Sequence, residues 1–293
     1  WTDAGLRLID QTRLPQAEEY VLCRSAPEIA AAIRTMVVRG APAIGVAAAY
    51  GAALARSDAE LEELRSARPT ARDLFWALER VTAATDRLAE AHAIARESVE
   101  SSIAMGRHGA ELIPSGARIV TICNTGALAA VDYGTALSAV RVAHEQGKQP
   151  FVYALETRPR AQGAKLTAWE LHKLGIPFRL IADGAAGILL RRGMVDLALS
   201  GADRVCANGD VVNKVGTYPL ALLCRENGVP FYVVAPCSTL DSMTTSGDDV
   251  VIEERDESEV TTFAPAGTRA WNPAFDVTPA GLVTKLVTEA GVR

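Results

Sequence analysis

What the chain lacks narrows its function first. None of its 293 residues forms a CxxC pair, and the five cysteines (Cys23, Cys123, Cys206, Cys224, Cys237) are odd in number and scattered. That pattern argues against a disulfide framework and a structural zinc site, and for buried thiols in a reducing cytoplasm. The four histidines (His92, His108, His144, His172) fall in helical stretches without metal-ligand spacing, so no metal is expected. GxGxxG and GxxxxGK[ST] are both missing, which leaves a dinucleotide or P-loop site without motif support. There is no surplus of positive charge either: 30 Lys and Arg stand against 35 Asp and Glu. This disfavours nucleic acid as a partner, whereas a phosphorylated small ligand needs only a few local cations. The longest apolar run, Gly40 to Ala55, falls short of the roughly 20 residues of a membrane span and reads as a buried helix. No membrane partner is expected. No signal-peptide pattern, internal repeat or low-complexity tract is visible. The chain opens at Trp1 without a methionine, so further residues are expected upstream.

What is present divides at Pro114-Ser115-Gly116, a turn signal. Residues 1–114 read as a mainly helical N-terminal domain. GLRLID and EYVLCR form a short hairpin, Ala26 to Val38 and Gly40 to Ala55 have helical patterns, and Arg68 to Ile113 carries two long amphipathic helices. Residues 115–293 alternate strand and helix: ARIVTIC, PFVYALE, PFRLIAD, LALSGAD, PFYVVAP and DVVIEE are separated by helical stretches, several ending in Gly. This predicts an α/β fold, a Rossmann-like parallel sheet with helices on both faces.

Several of these strands end on a reactive group: Cys123, Glu156, Asp183 and Asp203. Carboxyl ends of parallel strands share one rim, where ligands bind. Cys123 and Asp203, with 79 residues between them, should therefore meet in one crevice. CNTGALA reads as a strand-to-helix turn, so the Cys123 thiol would sit at a helix N-terminus that favours the thiolate; a buried structural cysteine is the alternative. Asp203 is a candidate acid or base, or else a helix N-cap, and Asn213 and Lys214 would open the next helix near the same rim. In VRGAPAIG, Arg39 lies at a helix start suited to an anion, or is a solvated arginine in a plain turn. Arg158 and Arg160 share a loop that leads to Gln162 and Gly163, while Glu156 reads as a salt-bridged brace.

Taken together, LIDQTRLP, MVVRGAPAIGVAAAYG, RPTARDLFWAL, CNTGALA, YGTALSAVRVAHEQGK, ETRPRAQGAKLTAWEL, GADRVCANGDVVNKVGTY and NPAFDVTP resemble the methylthioribose-1-phosphate isomerase family across nearly the whole chain. Its superfamily also holds regulatory subunits of a translation initiation exchange factor. The resemblance implies aldose–ketose isomerisation of a sugar 1-phosphate without metal or organic cofactor, in a cytoplasmic homodimer. It implies Cys123 and Asp203 as the catalytic pair. Substrate contacts would fall on Arg39, Gly40 and Ala41 of RGAPA, Arg68 of RPTA, Gln162 of RPRxQG, and the Asn213–Lys214 pair. Related isomerases take 5-deoxyribose 1-phosphate or ribose 1,5-bisphosphate, and a non-catalytic sugar-phosphate sensor is the reading of another class. Two departures, Leu155 where the family has Asp and Gly184-Ala185 where it has Asn-Met, predict a change in pocket shape.

Overall fold

The computed structural model describes residues 1–68 and 71–293; Pro69 and Thr70 of the RPTA motif lie outside the described residues. The expected hairpin forms as β1 (Leu6–Ile9) and β2 (Tyr20–Cys23), paired antiparallel. Helices α1 (Ala26–Arg34), α2 (Ala41–Leu54), α3 (Asp58–Ala67), α4 (Arg72–Ala83) and α5 (Arg87–Glu111) follow. Their starts are written in side chains. Ser25 accepts from the Glu28 N–H, Ser57 from Glu60 and Asp86 from Ala89, each satisfying an orphan donor of a first turn. Helix α1 stops before the expected Val38 because Met36 takes a left-handed φ of 69°. Helix α3 escapes the sequence pattern: its buried stripe is only Leu61, Leu64 and Ala67 in a charged decapeptide.

After α5 the chain builds β3 (Arg118–Thr121), α6 (Ala136–Glu145), β4 (Phe151–Leu155), α7 (Ala168–Lys173), β5 (Phe178–Ile181), α8 (Ala186–Arg191) and β6 (Leu197–Ser200). Then come β7 (Arg204–Cys206), β8 (Val211–Lys214), α9 (Thr217–Glu226), β9 (Phe231–Val234), β10 (Leu240–Asp241), β11 (Phe275–Thr278), β12 (Lys285–Thr288) and β13 (Gly291–Val292). The main sheet has the order β13-β12-β9-β6-β3-β4-β5, all parallel except β13. From β3 the chain winds outward through β4 and β5, then returns to β6 on the other side of β3. Winding reverses between β3 and β6, and in such sheets the ligand crevice opens at the carboxyl ends of that strand pair.

One expected strand is absent. DVVIEE pairs with no strand; Glu254 makes a single isolated bridge to Pro273, and Val251 is 84% exposed. The sixth parallel place goes to KLVT of β12, where Val287 is buried between β9 and α5. A short apolar run alone does not make a strand when another segment takes the place beside β9. A second, four-stranded sheet, β10-β7-β8-β11, stands beyond β6.

Three large apolar clusters make up most of the core among the described residues. Ile29, Ile33, Leu64, Leu74, Leu78 and Ile94 fill the space among the first helices. Met105, Ile113, Ile119, Val152 and Leu199 pack on one face of the main sheet; Val120, Ile122, Leu155 and Phe231 pack on the other. Helix α5 belongs to two of them, with Ile94 in the helical cluster and Met105 and Ala110 against the sheet. Fully burying such side chains contributes about 1.5–3 kcal/mol each.

Candidate active site

Strands β3 and β6 are direct neighbours, Ile119 opposite Leu197 and Thr121 opposite Leu199. Cys123 stands two residues beyond β3 and Asp203 three beyond β6, so the topology brings them to one rim. A single crevice is lined by Arg39, Gly40, Ala41, Arg68, Cys123, Gln162, Asp203, Asn213 and Lys214, the nine residues named from the sequence. Met36, Pro42, Asn124, Thr125, Thr135 and Phe275 complete most of the wall. Leu155, Gly184 and Ala185, the positions that depart from the family pattern, do not line it.

The N-terminal wall is the start of α2. Gly40 is its N-cap at φ 93°, a conformation that favours glycine. A Cβ there would lie 2.6 Å from the Ala129 Cα and carbonyl oxygen, so only glycine lets α2 approach the loop after β3 this closely. Arg39, buried at 7% exposure, spends its donors on protein groups. Nε donates to Gln11 Oε1 at 3.0 Å, Nη1 and Nη2 donate to the Asn124 carbonyl at 3.0 and 3.2 Å, and Nη2 also donates to Asn124 Oδ1.

Cys123 does not begin a helix, as the sequence suggested. The loop passes through a 3₁₀ turn, Ala127–Ala129, and α6 starts only at Ala136. In between, a Cβ on Gly134 would lie 2.4 Å from the Gly126 backbone, and one on Gly126 would run into Glu170. Cys123 itself takes a left-handed φ of 63°, which costs a non-glycine residue on the order of 1–3 kcal/mol unless its surroundings enforce it. They do. Its N–H donates to Thr157 Oγ1 at 2.8 Å, and its carbonyl accepts from Thr167 Oγ1 at 2.7 Å. Thr157 is left-handed too, and its N–H donates to Asp183 at 2.7 Å. The brace of this loop is thus Asp183, with a second bond from the Arg158 N–H, and not Glu156.

Asp203 lies in the turn between β6 and β7, its N–H bonded to the Val212 carbonyl. Asn213 and Lys214 end strand β8 instead of opening a helix. Asn213 Nδ2 donates to Ser200 and Thr217 at 2.9 and 3.0 Å. Lys214 Nζ donates to the Ala274 carbonyl at 2.7 Å and sits 4.6 Å from the centre of the Phe275 ring. Arg68 Nε lies 3.5 Å from Glu253. Burial pushes the Asp203 carboxyl above the usual carboxylate range, against the pull of Lys214, Arg68 and Arg39. Burial lowers the Lys214 ammonium, while Cys123 and Asp203 hold it up. A carboxyl whose pKa burial raises, beside a thiol and confined cations, is equipped for proton transfer on an anionic substrate.

The two sequence-flagged arginines stand outside this crevice. Arg158 donates to the Val260 carbonyl, and Arg160 pairs with Glu259 while lining a neighbouring hollow with Gln11, Gln162 and Lys165. Sequence reasoning gave no role to Gln11, Thr157, Thr167 and Glu170. Thr167 and Glu170 do carry a signal, being three apart on one helical face of TAWEL, but that spacing alone says nothing about which loop they meet.

A family described as "Initiation factor 2 subunit family" matches residues 37–293. A protein of Pelotomaculum thermopropionicum named methylthioribose-1-phosphate isomerase is 51% identical, over 100% of this chain and 89% of its own length. Among solved structures, 5-methylthioribose 1-phosphate isomerase from Pyrococcus horikoshii OT3 superposes with a TM-score of 0.92 at 42% identity, covering 100% of this chain and 90% of that one. A structure titled translation initiation factor eIF-2B, subunit delta, from A. fulgidus superposes with a TM-score of 0.88 at 44% identity, covering 100% and 94%.

Proposed function

The chain belongs to the initiation factor 2 subunit family, and from that premise we propose that it is a methylthioribose-1-phosphate isomerase of methionine salvage, converting 5-methylthioribose 1-phosphate to 5-methylthioribulose 1-phosphate. One observation carries the reading: a thiol, a carboxyl of raised pKa and a buried lysine line one crevice with the start of α2. Phosphate on the anomeric oxygen prevents the sugar from opening to a free aldehyde. Asp203, protonated, gives its proton to the ring oxygen, and the C1–ring oxygen bond breaks. The carboxylate left behind removes the C2 proton, forming an enol phosphate. Cys123 delivers a proton to C1, and the C2 hydroxyl gives its own proton to the thiolate so formed, which leaves the C2 ketone and restores the thiol. The first-turn N–H groups of α2, with Lys214, Arg68 and Gln162, hold the phosphate and hydroxyls.

A cavity of about 380 Å³ shares Pro42 with the crevice. Its walls combine Val46, Trp76, Ile94, Met105 and Leu240 with three carboxylates, Asp73, Glu97 and Glu289, against the single cation Arg72. That lining suits an apolar 5-substituent and repels a second phosphate. The protein is a cytoplasmic homodimer in this reading. Met243, Val251, Phe263 and Trp271, each more than 75% exposed, are apolar side chains that a second copy would cover in this reading. Light scattering on the purified protein tests that point.

The deciding experiment is turnover of 5-methylthioribose 1-phosphate by purified protein, with the ketose 1-phosphate followed by ³¹P NMR. The 44% identity to a structure titled as an initiation-factor subunit keeps a second reading, a sensor that binds the sugar phosphate without converting it. Binding without turnover would establish that one.

A further inference from the structure

We propose that Glu170 is a positioning residue for the Cys123 turn, acting through Asn124 and not on the substrate. The proposal rests on the isomerase reading above. Glu170 stands in the first turn of α7 and is 5% exposed. Its carboxylate accepts three donors from a single loop: Asn124 Nδ2 at 2.7 Å, the Ala127 N–H at 2.6 Å and the Leu128 N–H at 3.3 Å. The carboxylate also packs against Gly126, where a Cβ would come within 2.2 Å of Oε2. Glycine is therefore required at 126 because Glu170 occupies the space beside it.

Asn124 passes this hold on to the other side. Its amide nitrogen faces Glu170, and its amide and backbone oxygens face the Arg39 guanidinium. One amide thus bridges a buried anion on α7 and a buried cation at the start of α2. Gln11 closes the circuit, accepting from Arg39 Nε and donating to the Leu128 carbonyl at 2.7 Å. Cys123 is the residue immediately before Asn124, and its left-handed backbone carries a cost that the hold on the following peptide helps to offset. If the Asn124 peptide turned over, the thiol would leave the position it shares with Asp203 on the crevice wall. A charge is needed at 170 because all three of its partners are donors. A glutamine would set its own NH₂ against at least one of them and remove one of the negative charges that offset buried Arg39.

The test uses the full chain carrying Glu170→Gln. Displacing a reacting group by about 1 Å can cost on the order of 10²-fold in rate. The expected result is a kcat lower by roughly that factor with KM changed less than about threefold, the pattern of an interaction felt in the transition state. Alkylation of Cys123 by iodoacetamide, read by mass spectrometry across pH, should change in rate or profile, while the circular-dichroism melt shows the variant folded. A kcat within about twofold of the parent with unchanged alkylation would overturn the proposal, and so would a loss confined to KM. If Glu170→Gln fails to fold, Thr167→Val decides. It removes a donor to the Cys123 carbonyl and an acceptor for Asn124 Nδ2 without disturbing charge, and it should lower kcat and alter Cys123 alkylation in the same direction; no change in either would overturn the proposal. Should the parent protein turn over no sugar phosphate, the isomerase reading fails, while the alkylation comparison still reports whether Glu170 governs Cys123.

Discussion

The turn after β3 and the turn after β6 lie side by side at the rim, yet they present their reactive groups by different means. Around Cys123, hydrogen bonds that Thr157 and Glu170 accept and Thr167 and Asn124 donate settle where the thiol stands. The Asp203 carboxyl makes no hydrogen bond to protein among the described residues. Its state is set by burial on one side and the charges of Lys214, Arg68 and Arg39 on the other. One group is held by geometry and its partner is tuned by field. Short directional bonds fix position, whereas charges at several ångströms leave position loose and shift proton affinity.

The largest test removes each group in turn. Cys123→Ser and Asp203→Asn should both fold, and each should lose about 10²–10⁴-fold in turnover, the usual contribution of a general acid or base. A near-normal rate in either variant would take that residue out of the mechanism and end the comparison.

A second test separates stability from catalysis on the field side. Asp73 is 2% exposed on α4, and burial pushes its pKa from 3.8 to about 7, with Ser238 and Arg72 opposing the rise and Asp203 adding to it. The unfolded chain releases this proton near pH 4, the folded chain only near 7. Folding therefore retains a proton across that window, and stability falls as pH rises through it, by on the order of 4 kcal/mol, then levels off. Asp73→Asn should abolish most of this decline. Melting curves at pH 5 and 8 measure it, and an unchanged pH dependence would show that Asp73 is not the source.

A third test asks whether the two turns respond independently. Lys214→Met deletes the leading influence that lowers the Asp203 pKa, so that pKa should rise further. Because the acid form does the first proton transfer, the alkaline limb of the pH–rate profile should move to higher pH. Glu170→Gln should lower the plateau and leave the limb in place. A limb that moves equally in both variants would mean that the turns are not separable.

The smallest expected effects concern substrate and metal. Losing the sulfur and its methyl from the 5-position should cost about 1–3 kcal/mol, so 5-deoxyribose 1-phosphate should react with modestly lower kcat/KM, and ribose 1,5-bisphosphate with much lower. A bisphosphate that wins by a wide margin would overturn the assignment of the acidic cavity beside Pro42. EDTA should leave the rate unchanged; a loss restored by a divalent cation would reveal a missed site.

Much of this molecule could be read before any coordinates. The 3.6-residue periodicity of α1, α4 and α5 and the short apolar runs of β3, β4, β5, β6 and β9 are local consequences of burying one stripe or both faces. Placing Cys123 and Asp203 on one rim followed from winding rules that need only strand order. The motif residues Arg39, Arg68, Gln162, Asn213 and Lys214 were nameable as substrate contacts through the family resemblance that their neighbouring segments carry. What the chain could not disclose was anything that depends on a partner distant in sequence. DVVIEE carries a short apolar run fit for a strand, but KLVT of β12 takes the place beside β9. Arg39 reads as a cation for phosphate, but Gln11 and Asn124, 28 and 85 residues away, take up its donors. Glu170 reads as one more helix carboxylate until the loop after β3 comes to rest against it, 42 to 46 residues back along the chain. Periodicity and motif are recorded in the order of residues, whereas hydrogen-bond partnership is decided by which surfaces the hydrophobic cores press together.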